Sequence, residues 1–255
     1  MPVALVTGGT RGIGAGVARA FLRGGYDVAV TGRTPPSEGS AGATWYIEAD
    51  SRDPVAVEAA VHSAVDRYGR LDCLVNNAAR FQAWLALDQV PLEEIRAIIE
   101  TNVLGYVAGC RAALPALRLS RGSIINIGSL TGEIGNWHAS VYVATKGAVT
   151  ALTKALAIDE ADAGVRVNAL LPGNVYTDAR EALEAASGRP EELHAFLESH
   201  QWAGRSATED EVGELCVFLA SDLAAYLTGV TLPVSGGAEL GYGPKRPYPD
   251  FGRRG

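Results

Sequence analysis

Short apolar runs alternate with helix-patterned stretches along almost the whole chain, and this alternation restricts the fold more than any other feature. Val3–Thr7 reads as a strand buried on both faces. Gly12–Arg23 follows with helical periodicity and stops at Gly24-Gly25. Further strands are expected at Asp27–Thr31, Thr44–Ile47, Asp72–Val75, Ser123–Ile127, Arg166–Leu170 and Val230–Val234. Between them, helices are expected at Pro54–Tyr68, with Asp53 as cap, over 92–119 with a bend before Pro115, over 139–163, and over 209–220 with Thr208 as cap. The span 178–203 reads as helical pieces broken at Gly188-Arg189-Pro190. Such alternation builds a parallel sheet with helices on both faces. No linker, repeat or low-complexity run divides the chain, so one domain over 1–243 is expected, followed by an irregular Pro/Gly-rich tail at 244–255.

The chain of 255 residues is long enough for a substantial core. A formal net charge of −7 without long basic runs argues against nucleic acid as a partner. No apolar stretch is expected to reach the roughly 20 residues that span a bilayer. The chain begins on a strand-like run, so no signal or transit peptide is expected. Three cysteines, Cys73, Cys110 and Cys216, lie apart in apolar contexts and read as buried thiols of a reducing, cytoplasmic compartment. The four histidines are dispersed, and no metal site is expected.

The glycine-rich stretch Thr7–Gly14 lies between the first strand and the first helix. Glycines there permit a tight turn and close approach of a pyrophosphate, which the helix N-terminus meets with free N–H groups. Dinucleotide binding is the expected role. A site for NAD usually carries a carboxylate at the end of the second strand to hold the ribose 2′-hydroxyl. Here that position is Gly32, followed by Arg33, and Arg11 sits in the glycine turn. Two guanidiniums without an acid suit a 2′-phosphate, so NADP(H) is favoured, with NAD(H) as the alternative.

Tyr142-Val-Ala-Thr-Lys146 places a tyrosine and a lysine on one helix face, a turn apart. Ser129 follows the strand that ends at Ile127, so all three are expected to converge at the carboxyl end of the sheet. A nearby lysine favours a phenolate, and Tyr142 is expected to exchange protons near neutral pH.

These motifs, with Asn76-Asn77-Ala78, Asn102 and Pro172-Gly173 with Thr177, stand in the order of the short-chain dehydrogenase/reductase family. The chain resembles its compact single-domain branch over nearly the whole length. Arg11–Gly16, Gly69–Cys73, Tyr142–Leu152 and Gly236–Gly243 are similar to the type-14 17β-hydroxysteroid dehydrogenase and L-fucose dehydrogenase group. The resemblance implies a single-domain, doubly wound Rossmann fold with a seven-stranded sheet in the order 3-2-1-4-5-6-7. It implies hydride transfer between a nicotinamide cofactor and a secondary alcohol or ketone. Tyr142 would be the general acid/base, Lys146 would lower its pKa and hold the nicotinamide ribose, and Ser129 would polarise the carbonyl. Asn102 would hold a water linking Lys146 to a proton relay. Gly8, Thr10, Arg11, Gly12, Ile13, Gly14 and Arg33 would bind the phosphates; Asp50 and Ser51 the adenine; Asn77 and Ala78 the ribose; Pro172, Gly173, Val175 and Thr177 the nicotinamide. Two departures stand out: Ala79 where the family has glycine, and Gly128 before Ser129 where it commonly has serine.

The substrate segments say less. Phe81, Trp84 and Trp202, with Trp137, suit a ring-bearing substrate, while Gln82, Glu133, Asn136 and His138 suit a sugar. Residues 178–203 form the expected lid. Small residues on the helices over 92–119 and 139–163 suggest a homotetramer, as in the family, and the tail from Pro244 would reach across an interface. The alternatives are a catalytically silent dinucleotide sensor, an enoyl reductase or epimerase, or a β-ketoacyl reductase acting on a carrier-bound substrate. The first is disfavoured by the retained Tyr/Lys pair. Wider Tyr/Lys spacing in enoyl reductases, and the longer C-terminal domain of epimerases, disfavour the second pair.

Overall fold

Strand β1 (Val3–Val6) lies between β2 (Asp27–Gly32) and β4 (Cys73–Asn76), with Val3 opposite Asp27 and Val6 opposite Val75. With β3 (Trp45–Glu48), β5 (Ser123–Ile127), β6 (Arg166–Pro172) and β7 (Thr231–Val234), they form a seven-stranded parallel sheet in the order β3-β2-β1-β4-β5-β6-β7. The computed structural model describes residues 1–37, 39–82 and 84–240. Every residue of β1, β4 and β5 is buried, because helices cover both faces. The strand order reverses between β1 and β4, which opens a crevice at their carboxyl ends.

The helices are α1 (Gly12–Arg23), α2 (Pro54–Tyr68), α3 (Leu92–Ile99), α4 (Gly105–Ser120) and the short α5 (Thr131–Ile134). They continue with α6 (Ser140–Asp159), α7 (Asp178–Ala186), α8 (Pro190–Glu198) and α9 (Glu209–Ala220). On one face Val17 and Phe21 of α1 and Val212, Cys216 and Leu219 of α9 pack on Ala4, Val6, Val28 and Val30. On the other, Val61 of α2, Cys110 and Leu117 of α4 and Ala157 of α6 pack on Leu5, Leu74, Ile124 and Val167. Asp53 caps α2 through the Val55 N–H, and Thr208 and Glu211 form a reciprocal capping box on α9, as their spacing leads one to expect.

Several boundaries differ from expectation. The long helix over 92–119 is interrupted by a π-helical segment, Glu100–Leu104, while Pro115 sits on the exposed side of a continuous α4. The expected helix over 139–163 ends at Asp159, because Ala161–Gly164 turn the chain into β6. Helix α5 gave no periodic signal. One expectation about membranes is corrected: α6 is long and apolar enough to span a bilayer by length and composition. In the fold it instead rests on β6 and α3 and buries Thr145, Lys146 and Thr153. Residues 241–255, which include Tyr242, Gly243 and the tail from Pro244, lie outside the described residues.

Candidate active site

Ser129 follows β5, and Tyr142 and Lys146 stand on the first turns of α6, so the carboxyl end of β5 brings the three together. They line one cavity of about 110 Å3 with Ile13, Asn77, Ala79, Ile127, Gly128, Pro172 and Gly173. A larger cleft of about 410 Å3, bordered by Arg52, Arg80, Glu94 and Arg96, contains none of these reactive groups. The smaller cavity is therefore the candidate site.

Lys146 is buried and donates from Nζ to the Ile127 carbonyl (2.7 Å) and to the Tyr106 hydroxyl (3.4 Å). Its Nζ lies 5.7 Å from the centre of the Tyr142 ring. Burial without a carboxylate partner pushes its pKa down from 10.5 to about 7. Burial pushes Tyr142 the other way, up to about 12, against the lowering effect of its hydrogen bond with Ser129. The expected depression of Tyr142 by Lys146 is thus absent in the protein alone. The ammonium is turned toward Ile127, and burial of the phenol outweighs its hydrogen bond. Ser129 Oγ is 2.9 Å from Thr131 Oγ1 and also accepts from the Thr131 N–H, which orients it.

Asn102 braces this arrangement from behind. It sits in the π-helical segment, fully buried, and its amide is occupied. Nδ2 donates to the Arg80 carbonyl and to Thr145 Oγ1, and Oδ1 accepts from the Arg80 N–H. Both amide hydrogens have protein partners. Thr145 Oγ1 donates in turn to the Tyr142 carbonyl, which ties the residue to the helix that carries the phenol.

The glycine turn is built for close approach. Gly8 and Gly12 have φ of 62° and 56°, conformations that side chains disfavour. A Cβ on Gly14 would collide with the Gly8 carbonyl and lie 2.5 Å from Asn77 Nδ2. Arg11, at the cap of α1, makes no side-chain capping bond, so the first-turn N–H groups are left for a ligand. Asn77 spends its amide on the Thr7 and Gly8 carbonyls, and Thr7 Oγ1 accepts from the N–H groups of Asn77 and Ala78. Asn77 thus holds the turn itself, in addition to facing the cavity. This uncapped helix start, opening toward Ile13, Pro172 and Gly173, fits a dinucleotide.

At the edge of this cradle Arg11 and Arg33 are exposed, and a Cβ on Gly32 would lie 2.7 Å from Thr10 Cγ2. Asp50 is gripped by Arg52 at 2.7 Å, and this hydrogen bond holds its carboxyl below the usual range. The Ser51 carbonyl faces Gly105 too closely for a Cβ there. Val175 is buried in the core and bridges Ala207. Thr177 caps α7 by accepting from the Arg180 N–H, with its methyl near Gly12.

Among the substrate candidates, Phe81 packs on Tyr142 at 4.8 Å between ring centres, and Trp84 packs edge-on to Phe81. Asn136 is exposed, and His138, with φ of 53°, stacks on Trp137. Trp202 donates to the Leu240 carbonyl and packs on Gly237, and it is not part of the cavity. Two of the polar candidates have partners within the protein. Glu133 accepts from Thr231, and Gln82 is fully buried with its amide bonded inside the protein.

Residues 8–239 match the family model described as enoyl-(acyl carrier protein) reductase. The L-fucose dehydrogenase of Oryctolagus cuniculus is 43% identical over 98% of this chain and 89% of that protein. A ligand-free aldohexose dehydrogenase from Thermoplasma acidophilum superimposes with a TM-score of 0.88 at 32% identity, covering 93% of this chain and 94% of that one. A 3-ketoacyl-(acyl-carrier-protein) reductase from Brucella melitensis, complexed with NADH, gives 0.83 at 30% identity, with 94% and 98% covered. The chain belongs to the short-chain dehydrogenase/reductase family.

As a member of that family it is an oxidoreductase acting on CH–OH groups. Sequence reasoning about this short-chain dehydrogenase located Ser129, Tyr142, Lys146, Ile13, Asn77, Pro172 and Gly173 in one cavity. Ala79 and Gly128, where the sequence departs from the family pattern, line the same cavity, so departure from the pattern was itself a signal. A Cβ on Gly128 would collide with Leu171, which accounts for the glycine. Tyr106, Thr131, Thr145 and the structural role of Gln82 were missed, because each acts through a contact that local sequence does not encode.

Proposed function

We propose that this protein is a nicotinamide-dependent dehydrogenase of cyclic secondary alcohols, sugars foremost, using Tyr142 as general acid/base and preferring NADP(H). The observation that carries the reading is the convergence of Ser129, Tyr142 and Lys146 on a cavity that opens onto the uncapped start of α1. When bound, an oxidised nicotinamide would supply the hydride acceptor and a positive charge in the site. The α1 N–H groups would hold the pyrophosphate, and Ile13, Pro172 and Gly173 would line the nicotinamide end. Ser129 Oγ orients the substrate oxygen, and Tyr142 takes the hydroxyl proton in oxidation or returns it in reduction. Lys146 holds the ribose side and, with a pKa of about 7, changes charge near neutral pH.

The sugar class rests on similarity to proteins named for L-fucose and aldohexose oxidation. Phe81 against Tyr142, with Trp84 edge-on to Phe81, offers an apolar surface for the face of a pyranose or another ring. The NADP preference rests on Gly32 and Arg33. We read residues 1–243 as one catalytic domain with α7 and α8 as its lid. Buried free cysteines accord with a cytoplasmic, reducing setting.

The test is NADP- and NAD-linked oxidation of L-fucose, other aldohexoses, cyclic alcohols and steroid alcohols. Turnover of an aldohexose with a clear kcat/KM advantage supports the reading, and turnover of acyclic substrates alone refutes the substrate class. A second reading, reduction of a carrier-bound β-ketoacyl group, is favoured by similarity to the ketoacyl reductase. It is decided by assaying β-ketoacyl thioesters in the same panel.

A further inference from the structure

Gln82 is the most completely bonded side chain near the site, yet it touches neither the glycine cradle nor the cavity. It is fully buried. Its Oε1 accepts from the backbone N–H of Val141 (2.9 Å) and of Tyr142 (3.3 Å). Its Nε2 donates to the carbonyls of His138 (3.1 Å) and Leu85 (3.3 Å). Both donors and both acceptor positions of the amide are therefore filled. Helix α6 begins at Ser140 behind Ala139, a residue with no capping group, and no side chain of its own segment caps it. The acceptor that the first turn of α6 needs is supplied instead from a residue 59 and 60 positions earlier in the chain.

The loop that carries Gln82 is itself anchored. Its start is pinned at Arg80, whose N–H and carbonyl both bond Asn102. Asn102 reaches Thr145, and Thr145 reaches the Tyr142 carbonyl. Between the two anchors, Phe81 lies against the Tyr142 ring. The backbone of Tyr142 is thus held at its N–H by Gln82 and at its carbonyl by Thr145, with the ring braced by the intervening residue.

We propose that Gln82 is a positioning residue for catalysis: by capping α6 from a distant loop it sets where the Tyr142 phenol stands relative to Ser129 and the substrate oxygen. This rests on the reading of Tyr142 as general acid/base. The effect of a small displacement falls on the chemical step, because proton and hydride transfer need the reacting atoms in near-attack geometry.

The experiment compares Gln82→Met, Gln82→Glu and Tyr142→Phe with the wild-type enzyme, using whichever substrate of the panel turns over. Gln82→Met removes all four bonds while nearly keeping the volume. Its kcat is expected to fall roughly 10- to 100-fold per cofactor-binding site, with NADPH affinity and KM little changed, since the cradle is untouched. Gln82→Glu keeps an acceptor for the two N–H groups; held neutral by burial, its carboxyl donates to one of the two carbonyls, so it is expected to regain much of kcat at low pH. As the pH rises the carboxyl ionises against the His138 and Leu85 carbonyls, so the rescue is lost and the pH profile of oxidation gains a falling limb that the wild type lacks. A role confined to folding would lower the number of cofactor-binding sites in both variants but would move neither kcat per site nor the pH profile. Wild-type kcat per site in Gln82→Met overturns the proposal, as does a Gln82→Glu variant without rescue and with an unmoved profile. If Gln82→Met does not fold, the Gln82→Glu profile decides. Tyr142→Phe separates the two levels: retained turnover there refutes the acid/base reading, whereas its loss beside an active Gln82→Met refutes this inference alone.

Discussion

Thr10 and Gly32 share one volume. A Cβ at 32 would lie 2.7 Å from Thr10 Cγ2 and 2.8 Å from its Oγ1, so a carboxylate there, the group that would hold a ribose 2′-hydroxyl, has no room while Thr10 stands. Cofactor choice is therefore a property of the pair. Gly32→Asp alone is expected to weaken NADP(H) without a comparable gain for NAD(H). Thr10→Gly with Gly32→Asp is expected to shift the NAD/NADP ratio of kcat/KM by roughly tenfold or more, read from steady-state kinetics with both cofactors. At Lys146 the consequence is a pH dependence of stability. The folded protein holds this amine at about pKa 7, against 10.5 ordinarily. Between those values the unfolded chain binds a proton that the folded one does not, so wild-type stability rises with pH across that window. Lys146→Met lacks this contribution. Its melting temperature relative to wild type is expected to be highest below about pH 7 and to decline steadily toward about pH 10, as measured by calorimetry.

Helices α7 and α8, proposed as the lid, are joined by one buried ion cluster. Arg180 of α7 is 8% exposed and donates to Glu184 in its own helix and to Glu198 at the end of α8, both at 2.7 Å. It also bonds Ser206, which bonds Glu198 at 2.9 Å. His194 Nδ1 lies 3.2 Å from the second Glu184 oxygen, and the Tyr176 ring lies over the guanidinium. Burial alone would raise both carboxyls, but the hydrogen bonds from Arg180, with His194 at Glu184 and Ser206 at Glu198, outweigh it and hold them below their usual range. Removing the cation would strand two carboxylates between α7 and α8, a change that costs about 3–5 kcal/mol when a buried pair is broken. Arg180→Met is expected to raise hydrogen exchange across 178–206 and to raise KM, with cofactor binding preserved. Unchanged exchange in that span would show that α7 and α8 are held by other contacts. Such a cluster cannot be read from the sequence, where Arg180 is one arginine among many and its three partners lie 4, 18 and 26 positions further along.

At the scale of the molecule, the outer faces of α4 and α6 carry apolar residues with no cover. Val107 and Leu119 on α4 are 40% and 90% exposed, and Ile158 on α6 is 78% exposed. Exposed apolar side chains such as these gain cover on association. We therefore propose a homotetramer. Light scattering is expected to give about four times the chain mass of 26.6 kDa, and replacing Val107 and Ile158 with glutamate is expected to give smaller species.

The strand positions, the glycine turn and the Tyr/Lys register were legible in the sequence, because each is local, whereas the strand order came from the resemblance to the family. Buried parallel strands need unbroken apolar runs, a pyrophosphate cradle needs glycines before a helix, and a four-residue spacing sets two side chains on one helix face. Bonds between distant segments were not legible. That Gln82 caps α6, that Asn102 ties Arg80 to Thr145, and that burial drives the Tyr142 and Lys146 pKa values apart depend on which segments the sheet brings together. Local sequence therefore determined which groups could do chemistry in this protein. The tertiary structure alone decided how those groups are held and in which charge state they start, since desolvation and hydrogen bonding are set by neighbours that are remote along the chain.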